Sequence, residues 1–260
     1  MMWSHVRALA DAVAGTEIHL AGGRVHVPGP LLIRLSVVAS NIRLHRLIAA
    51  AAGAGATIVD VGANTGYNTI YAARLVGPHG RVIAIEPAAD NVRVLRDNVA
   101  ANRLTNVTVH TTAAGRVHEV RDLFLRGDVS AVNSLFAESV YATVTGVEPV
   151  PVAPLDALVD GDADLVKIDV EGAELDVLAG MTRLLASPSI QLIVEWHPRL
   201  QEAAGYAADA LPRCLLEHGF LLRAASHTRI GVLTADGIEP MSDRLRRSGH
   251  PVELVAARHA

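Results

Sequence analysis

The chain has 260 residues, half of them hydrophobic and 19% charged, enough apolar material for the core of one large α/β domain. A net charge of −4 with neutral histidines lacks the basic balance of a nucleic-acid binder, so no nucleic-acid partner is expected. The single cysteine, Cys214, excludes an internal disulfide framework and a cysteine-built zinc site and points to a reducing cytoplasm; no apolar run is long enough for a signal peptide or a membrane span.

Residues 16–27 alternate polar and apolar around Gly22-Gly23 and predict a β-hairpin. Pro28 and Pro30 follow, then a helix over 31–52 with aliphatics at three- and four-residue spacing. Residues 1–56 thus read as an N-terminal hairpin-and-helix extension, through which the chain could form a homodimer. From residue 57 a regular rhythm sets in: a strand over 57–61, a glycine-rich turn, a helix over 67–76, a strand over 81–85 ending at Glu86-Pro87, an amphipathic helix over 91–102 and a strand over 107–110. Between about 115 and 154 the rhythm lapses, which predicts an insertion with a hairpin or lid. It resumes with a strand over 165–169, a helix over 173–185, a strand over 191–195 and a helix over 206–218, kinked at Pro212 and ended by Gly219. The tail carries β-like runs at 221–223, 231–234 and 252–256. Alternating strands and helices predict a doubly wound, mostly parallel sheet over 57–260.

The most informative segment is Asp60-Val61-Gly62-Ala63-Asn64-Thr65-Gly66, which leaves a strand and enters a helix. Gly62 and Gly66 let the backbone turn sharply, and the following helix offers free amides to a ligand at the carboxyl ends of the strands. A dinucleotide loop needs a glycine where Asn64 stands, and the Gly-Lys-Ser/Thr ending of a P-loop is absent. A nucleoside without a pyrophosphate fits better. S-adenosylmethionine (SAM) is such a ligand, with Asp60 available to its ammonium group. Glu86, one strand further on, has the position and chemistry to accept both ribose hydroxyls. Thr112, Ala113 and Ala114 follow the third strand and flank the adenine in this reading.

Two further strand ends carry Asp169 with Glu171, and Glu195 with His197. Transfer to a hydroxyl needs proton removal, and His197 is a candidate general base, with Asp169 and Glu195 orienting it or taking the proton themselves. Asp169, Glu195 and His197 are also the ligands to expect if a divalent cation such as Mg²⁺ takes part, although histidine is not a preferred magnesium ligand. Glu171 and Glu174 have a plainer reading as helix-capping carboxylates, and Lys167 as an ion-pair partner. Asn133, Ser134 and Tyr141 in the insertion could meet an acceptor or simply form turns.

The segments 60–66, Ile85-Glu86-Pro87, Pro154-Leu155-Asp156-Ala157-Leu158, Lys167-Ile168-Asp169-Val170-Glu171-Gly172-Ala173-Glu174 and Ile193-Val194-Glu195 together resemble the FkbM-type methyltransferases. The resemblance implies a seven-stranded, Rossmann-like class I methyltransferase fold and SAM as donor. It implies a hydroxyl acceptor on a sugar, glycan or secondary metabolite, and Asp60, Gly62, Asn64, Gly66 and Glu86 as the cofactor grip. The competing expectations are a nicotinamide-dependent oxidoreductase on a Rossmann-like sheet and a non-catalytic SAM-binding scaffold.

Overall fold

The computed structural model describes residues 13–14, 17–20, 23–27, 31–126, 132–138, 143–226 and 229–258. Strands β1 (Val13–Ala14), β2 (Glu17–Leu20) and β3 (Gly23–His26) form an antiparallel sheet, with Leu20 paired to Gly23; the turn predicted at Gly22 lies outside the described residues. The predicted hairpin is present and seats Ile18, Val25 and Val27 against Tyr67 and Ile70. It is stitched on by Asn98, which accepts from the His26 amide at 2.7 Å and donates to the His26 carbonyl at 3.0 Å. Helix α1 (Leu31–Ala51) follows, its Leu44, Leu47 and Ile48 packed on the sheet residues Ile58, Val82 and Ile193.

The core is β4 (Thr57–Val61), α2 (Tyr67–Val76), β5 (Arg81–Ile85), α3 (Ala89–Ala101), β6 (Val107–His110), β10 (Leu165–Ile168), β11 (Gln191–Trp196), β12 (Leu221–Ala225), β13 (Ile230–Leu233) and β14 (Val252–Ala257). Their order in the sheet is β13-β12-β14-β11-β10-β4-β5-β6. From β11 to β6 all neighbours are parallel, and β14 runs antiparallel between β11 and β12. The central strands are buried on both faces, as a continuous Val/Ile/Leu run requires in a parallel sheet. The sheet has eight strands where seven were expected. The run near 231–234 pairs with β12 through Leu222↔Leu233 and forms an extra edge.

Three helical expectations need correction. Residues 173–185 form two short helices, α5 (Glu174–Ala179) and α6 (Thr182–Ala186), rather than one. The break falls at Gly180, where only glycine fits because a Cβ would overlap the carbonyl of Gly115. The second helix then starts afresh on the carboxylate of Asp156, which accepts from the amides of Arg183 at 2.6 Å and Leu184 at 3.1 Å. The helix expected over 206–218 is only α8 (Ala210–Glu217), and a separate α7 (Pro198–Ala203) precedes it. Pro212 falls in the first turn of α8, where its missing N–H costs no intrahelical bond, so it need not kink the helix. Helix α9 (Ala235–Ser248) was not foreseen: Gly237 and Pro240 depress its propensity, yet Ile238, Ser242 and Leu245 share a buried face.

The insertion is a small sheet in its own right. Strands β7 (Ala113–Gly115), β8 (Glu119–Leu125) and β9 (Gly146–Pro154) stand in the order β7-β9-β8, and the one-turn helix α4 (Leu155–Leu158) leads back to the core. No helix among the described residues is long and apolar enough to cross a membrane.

Candidate active site

A cavity opens at the carboxyl ends of β4, β5 and β10, where open α/β sheets bind ligands. The loop after β4 forms its floor. Gly62 has a left-handed φ of 79°, and a Cβ on it would overlap the carbonyl oxygen of Asp169. Asn64 is also left-handed, with φ of 50°, a conformation asparagine tolerates better than most residues. Its side-chain oxygen accepts from the amide of Thr65 at 2.7 Å, and its own amide donates to Glu86 at 2.9 Å. Gly66, with φ of 91°, admits Leu95 against the backbone at the start of α2.

Glu86 is almost fully buried in the cavity wall. Burial raises its pKa, while Asn91, the Asn64 amide and the Ala88 amide hold the charge by donating to it. One oxygen takes two of these donors and the other only Asn64, which leaves acceptor capacity on the cavity side.

Asp60 lies beneath the loop and is absent from the cavity lining. It accepts from the Thr69 hydroxyl at 2.7 Å and faces Lys167 at 3.3 Å. Lys167 is buried between three oxygens: Asp60, Asp169 at 3.4 Å and the carbonyl of Gly62 at 3.3 Å. Burial alone would lower its pKa, but Asp60 and Asp169 outweigh that and raise it, so the ammonium stays charged. Lys167 thereby ties the ends of β4 and β10 together.

Asp169 and Glu171 line the cavity. Oxygens of Asp169, Glu171 and Glu195 all lie within 4.8 Å of one another, an arrangement of hard ligands that could hold a divalent cation. Burial and then the charge of Asp169 push the Glu171 pKa well above the usual carboxylate range; Glu195 moves the same way for the same reasons. Glu195 is set back from the cavity lining. His197 does not join them. The chain leaves the strand at Trp196, and His197 becomes the N-cap of α7, with Pro198 at the first helical position. Its Nδ1 accepts from the Leu200 amide at 3.3 Å and its Nε2 meets the Gly249 carbonyl at 3.3 Å. Burial lowers its pKa and keeps the ring neutral. Glu174 stands in the first turn of α5 but accepts from the preceding loop's amides of Gly172 at 3.1 Å and Val170 at 3.3 Å, and burial lifts its pKa to about 7.

Ala113 and Ala114 line the cavity beyond Glu86, whereas the Thr112 hydroxyl turns away to the carbonyl of Pro151 at 2.9 Å. The insertion supplies Leu123, Asn133, Ser134 and Leu135, while Tyr141 lies outside the described residues. Arg126, with no solvent-accessible surface, holds this wall by donating to the carbonyls of Phe124, Val132, Phe136 and Ala137. Sequence reasoning missed the opposite wall, made by Val27, Asn41, Tyr67 and Asn68. Those residues meet only through the docking of the N-terminal extension, and no local pattern announces it.

A parallel sheet whose last strand inserts antiparallel, with a cleft at its switch point, is the Rossmann-like class I methyltransferase fold. The model of the methyltransferase FkbM domain matches residues 60–222, and the chain belongs to that family. It is 26% identical over 205 residues to the AMB antimetabolite synthetase AmbE of Pseudomonas aeruginosa, covering 64% of this chain and 9% of that protein. It is 29% identical over 144 residues to Methyltransferase 1 of Beauveria bassiana, covering 48% of this chain and 57% of that one. The chain therefore spans only part of the length of these relatives. Among solved structures, cofactor-bound Rv0187 from MTB superposes with a TM-score of 0.51 at 18% identity, covering 98% of this chain and 97% of that one.

Proposed function

We propose that this chain is a SAM-dependent O-methyltransferase acting on a hydroxyl of a sugar, glycan or secondary metabolite. The observation that carries the donor assignment is the charge of the cavity wall. Glu86, Asp169 and Glu171 face it, and its one lysine, Lys167, is already held by two carboxylates. Such a wall favours a cationic ligand and repels a pyrophosphate. The Asn64 amide, which could serve a dinucleotide phosphate, is taken by Glu86. Both features count against the nicotinamide reading.

SAM, when bound, supplies a methyl group made electrophilic by its sulfonium. Glu86 would accept hydrogen bonds from the ribose hydroxyls, and Ala113 and Ala114 would offer the adenine an apolar wall. Asp60 acts through Lys167, fixing the loop rather than touching the ligand. To Asp169 and Glu171, which line the cavity, we assign removal of the acceptor hydroxyl's proton. Of the two we assign the base role to Glu171, whose pKa burial and the charge of Asp169 raise. Glu195, set behind them, is buried, and burial with the charges of Asp169 and Glu171 raises its pKa. His197 is left out of this chemistry because Nδ1 caps α7 and Nε2 meets the Gly249 carbonyl at the end of α9. The Asp169, Glu171 and Glu195 oxygens would suit Mg²⁺ equally well as a proton, so the two readings are separated by chelation.

The test is incubation with SAM and a panel of hydroxyl acceptors, followed by mass spectrometry for a product heavier by one methylene. Glu171→Gln is expected to lower turnover by about a hundredfold or more, as loss of a general base does, with donor binding intact. Unchanged turnover would remove Glu171 from the chemistry. Activity that survives exhaustive chelation excludes the cation.

A further inference from the structure

The donor's methionine end carries a carboxylate, and the acidic cavity must neutralise or hydrogen-bond it somewhere. Lys167 is not available: its three donor directions already face Asp60, Asp169 and the Gly62 carbonyl. The candidates are therefore neutral amides near the glycine loop. Asn68, the second residue of α2, lines the cavity directly beyond that loop. Its side-chain oxygen is occupied at 3.1 Å by Nε2 of His45. That fixes the amide so that its NH₂, a pure donor, is what remains for the cavity.

His45 is itself held with unusual care. Its ring stacks on Tyr71 with centroids 3.8 Å apart and planes 1° from parallel, and on Tyr67 at 5.2 Å. It is buried, and burial lowers its pKa to about 4, so the ring is neutral and Nε2 carries the hydrogen that Asn68 accepts. A buried histidine sandwiched by two tyrosines and spent on orienting one amide is more than packing needs.

We infer that Asn68 binds the α-carboxylate of the donor through its Nδ2 and that His45 is the positioning residue that aims it. The inference rests on the reading of the cavity as a SAM site. It makes the N-terminal extension, which supplies His45, part of the cofactor site.

Calorimetric titration with two ligands tests it: S-adenosylhomocysteine, which has the carboxylate, and 5′-methylthioadenosine, which lacks the whole amino-acid end. Asn68→Asp replaces the donor by a charge of the same shape. It is expected to weaken S-adenosylhomocysteine at least about tenfold, the scale of a lost hydrogen bond to a charged group, while methylthioadenosine changes less than about twofold. His45→Phe keeps the stack and removes the hydrogen bond; a smaller loss confined to S-adenosylhomocysteine is expected. Equal weakening of both ligands would mark Asn68 as structural, and no change in either would take it out of the donor site; both overturn the inference. Failure of the unmodified protein to bind either ligand would refute the SAM reading itself, and the inference with it.

Discussion

Lys167→Met is the most searching perturbation of the site's framework. The lysine side chain is 4% exposed and that of its partner Asp60 is 2% exposed. Removing the ammonium leaves the Asp60 carboxylate with the Thr69 hydroxyl as its remaining strong donor. Breaking a buried ion pair from one side typically costs about 3–5 kcal/mol, because an uncompensated charge stays in the interior. Urea unfolding of both proteins reads the loss directly. Asp60→Asn added to Lys167→Met should recover part of it. A loss under about 1 kcal/mol would refute the claim that the pair is what fastens the loop to β10.

Gly62→Ala sets a side chain into a left-handed backbone, costing about 1–2 kcal/mol by itself, and drives it into the Asp169 carbonyl. Thermal unfolding should show a drop well beyond that figure, and a near-neutral result would contradict the close approach. Glu174 has a folded pKa near 7 against an ordinary 4.5, so it holds its proton more tightly when folded. Its share of the stability is present below about 4.5 and is lost as pH climbs towards 7, at up to about 1.4 kcal/mol per pH unit. Glu174→Gln should erase that slope in denaturant titrations between these values. Arg126→Lys keeps the charge but cannot reach four carbonyls. Limited proteolysis should then cut near residues 132–138 faster than in the parent, and an unchanged rate would show that the guanidinium does not hold that wall.

Much of the core was legible because its signals are local. The strands at 57–61, 81–85 and 107–110 are apolar runs bounded by turns, and the Gly62–Gly66 bend is written in residues that only such a turn demands. Glu86 followed from its place at a strand end. The carboxylate cluster was half visible: Asp169 and Glu195 could be placed on neighbouring strands from their alternation. Residue 197 continues that alternation on paper, but Pro198 starts a helix and turns His197 into its cap. Glu171 has two readings in the sequence, a strand-end carboxylate beside Asp169 or a helix cap, and its left-handed φ of 53° goes with a place in the cavity lining. The wall built by Val27, Asn41, Tyr67 and Asn68 depends on contacts between distant segments, and those are set by packing rather than by any motif.

The measurement that bears most directly on the account is a calorimetric titration of the folded protein with S-adenosylhomocysteine beside NADH. The account predicts saturable, one-to-one uptake of the nucleoside, abolished or strongly weakened by Glu86→Ala, and no uptake of the dinucleotide. Binding of NADH with indifference to S-adenosylhomocysteine would contradict it.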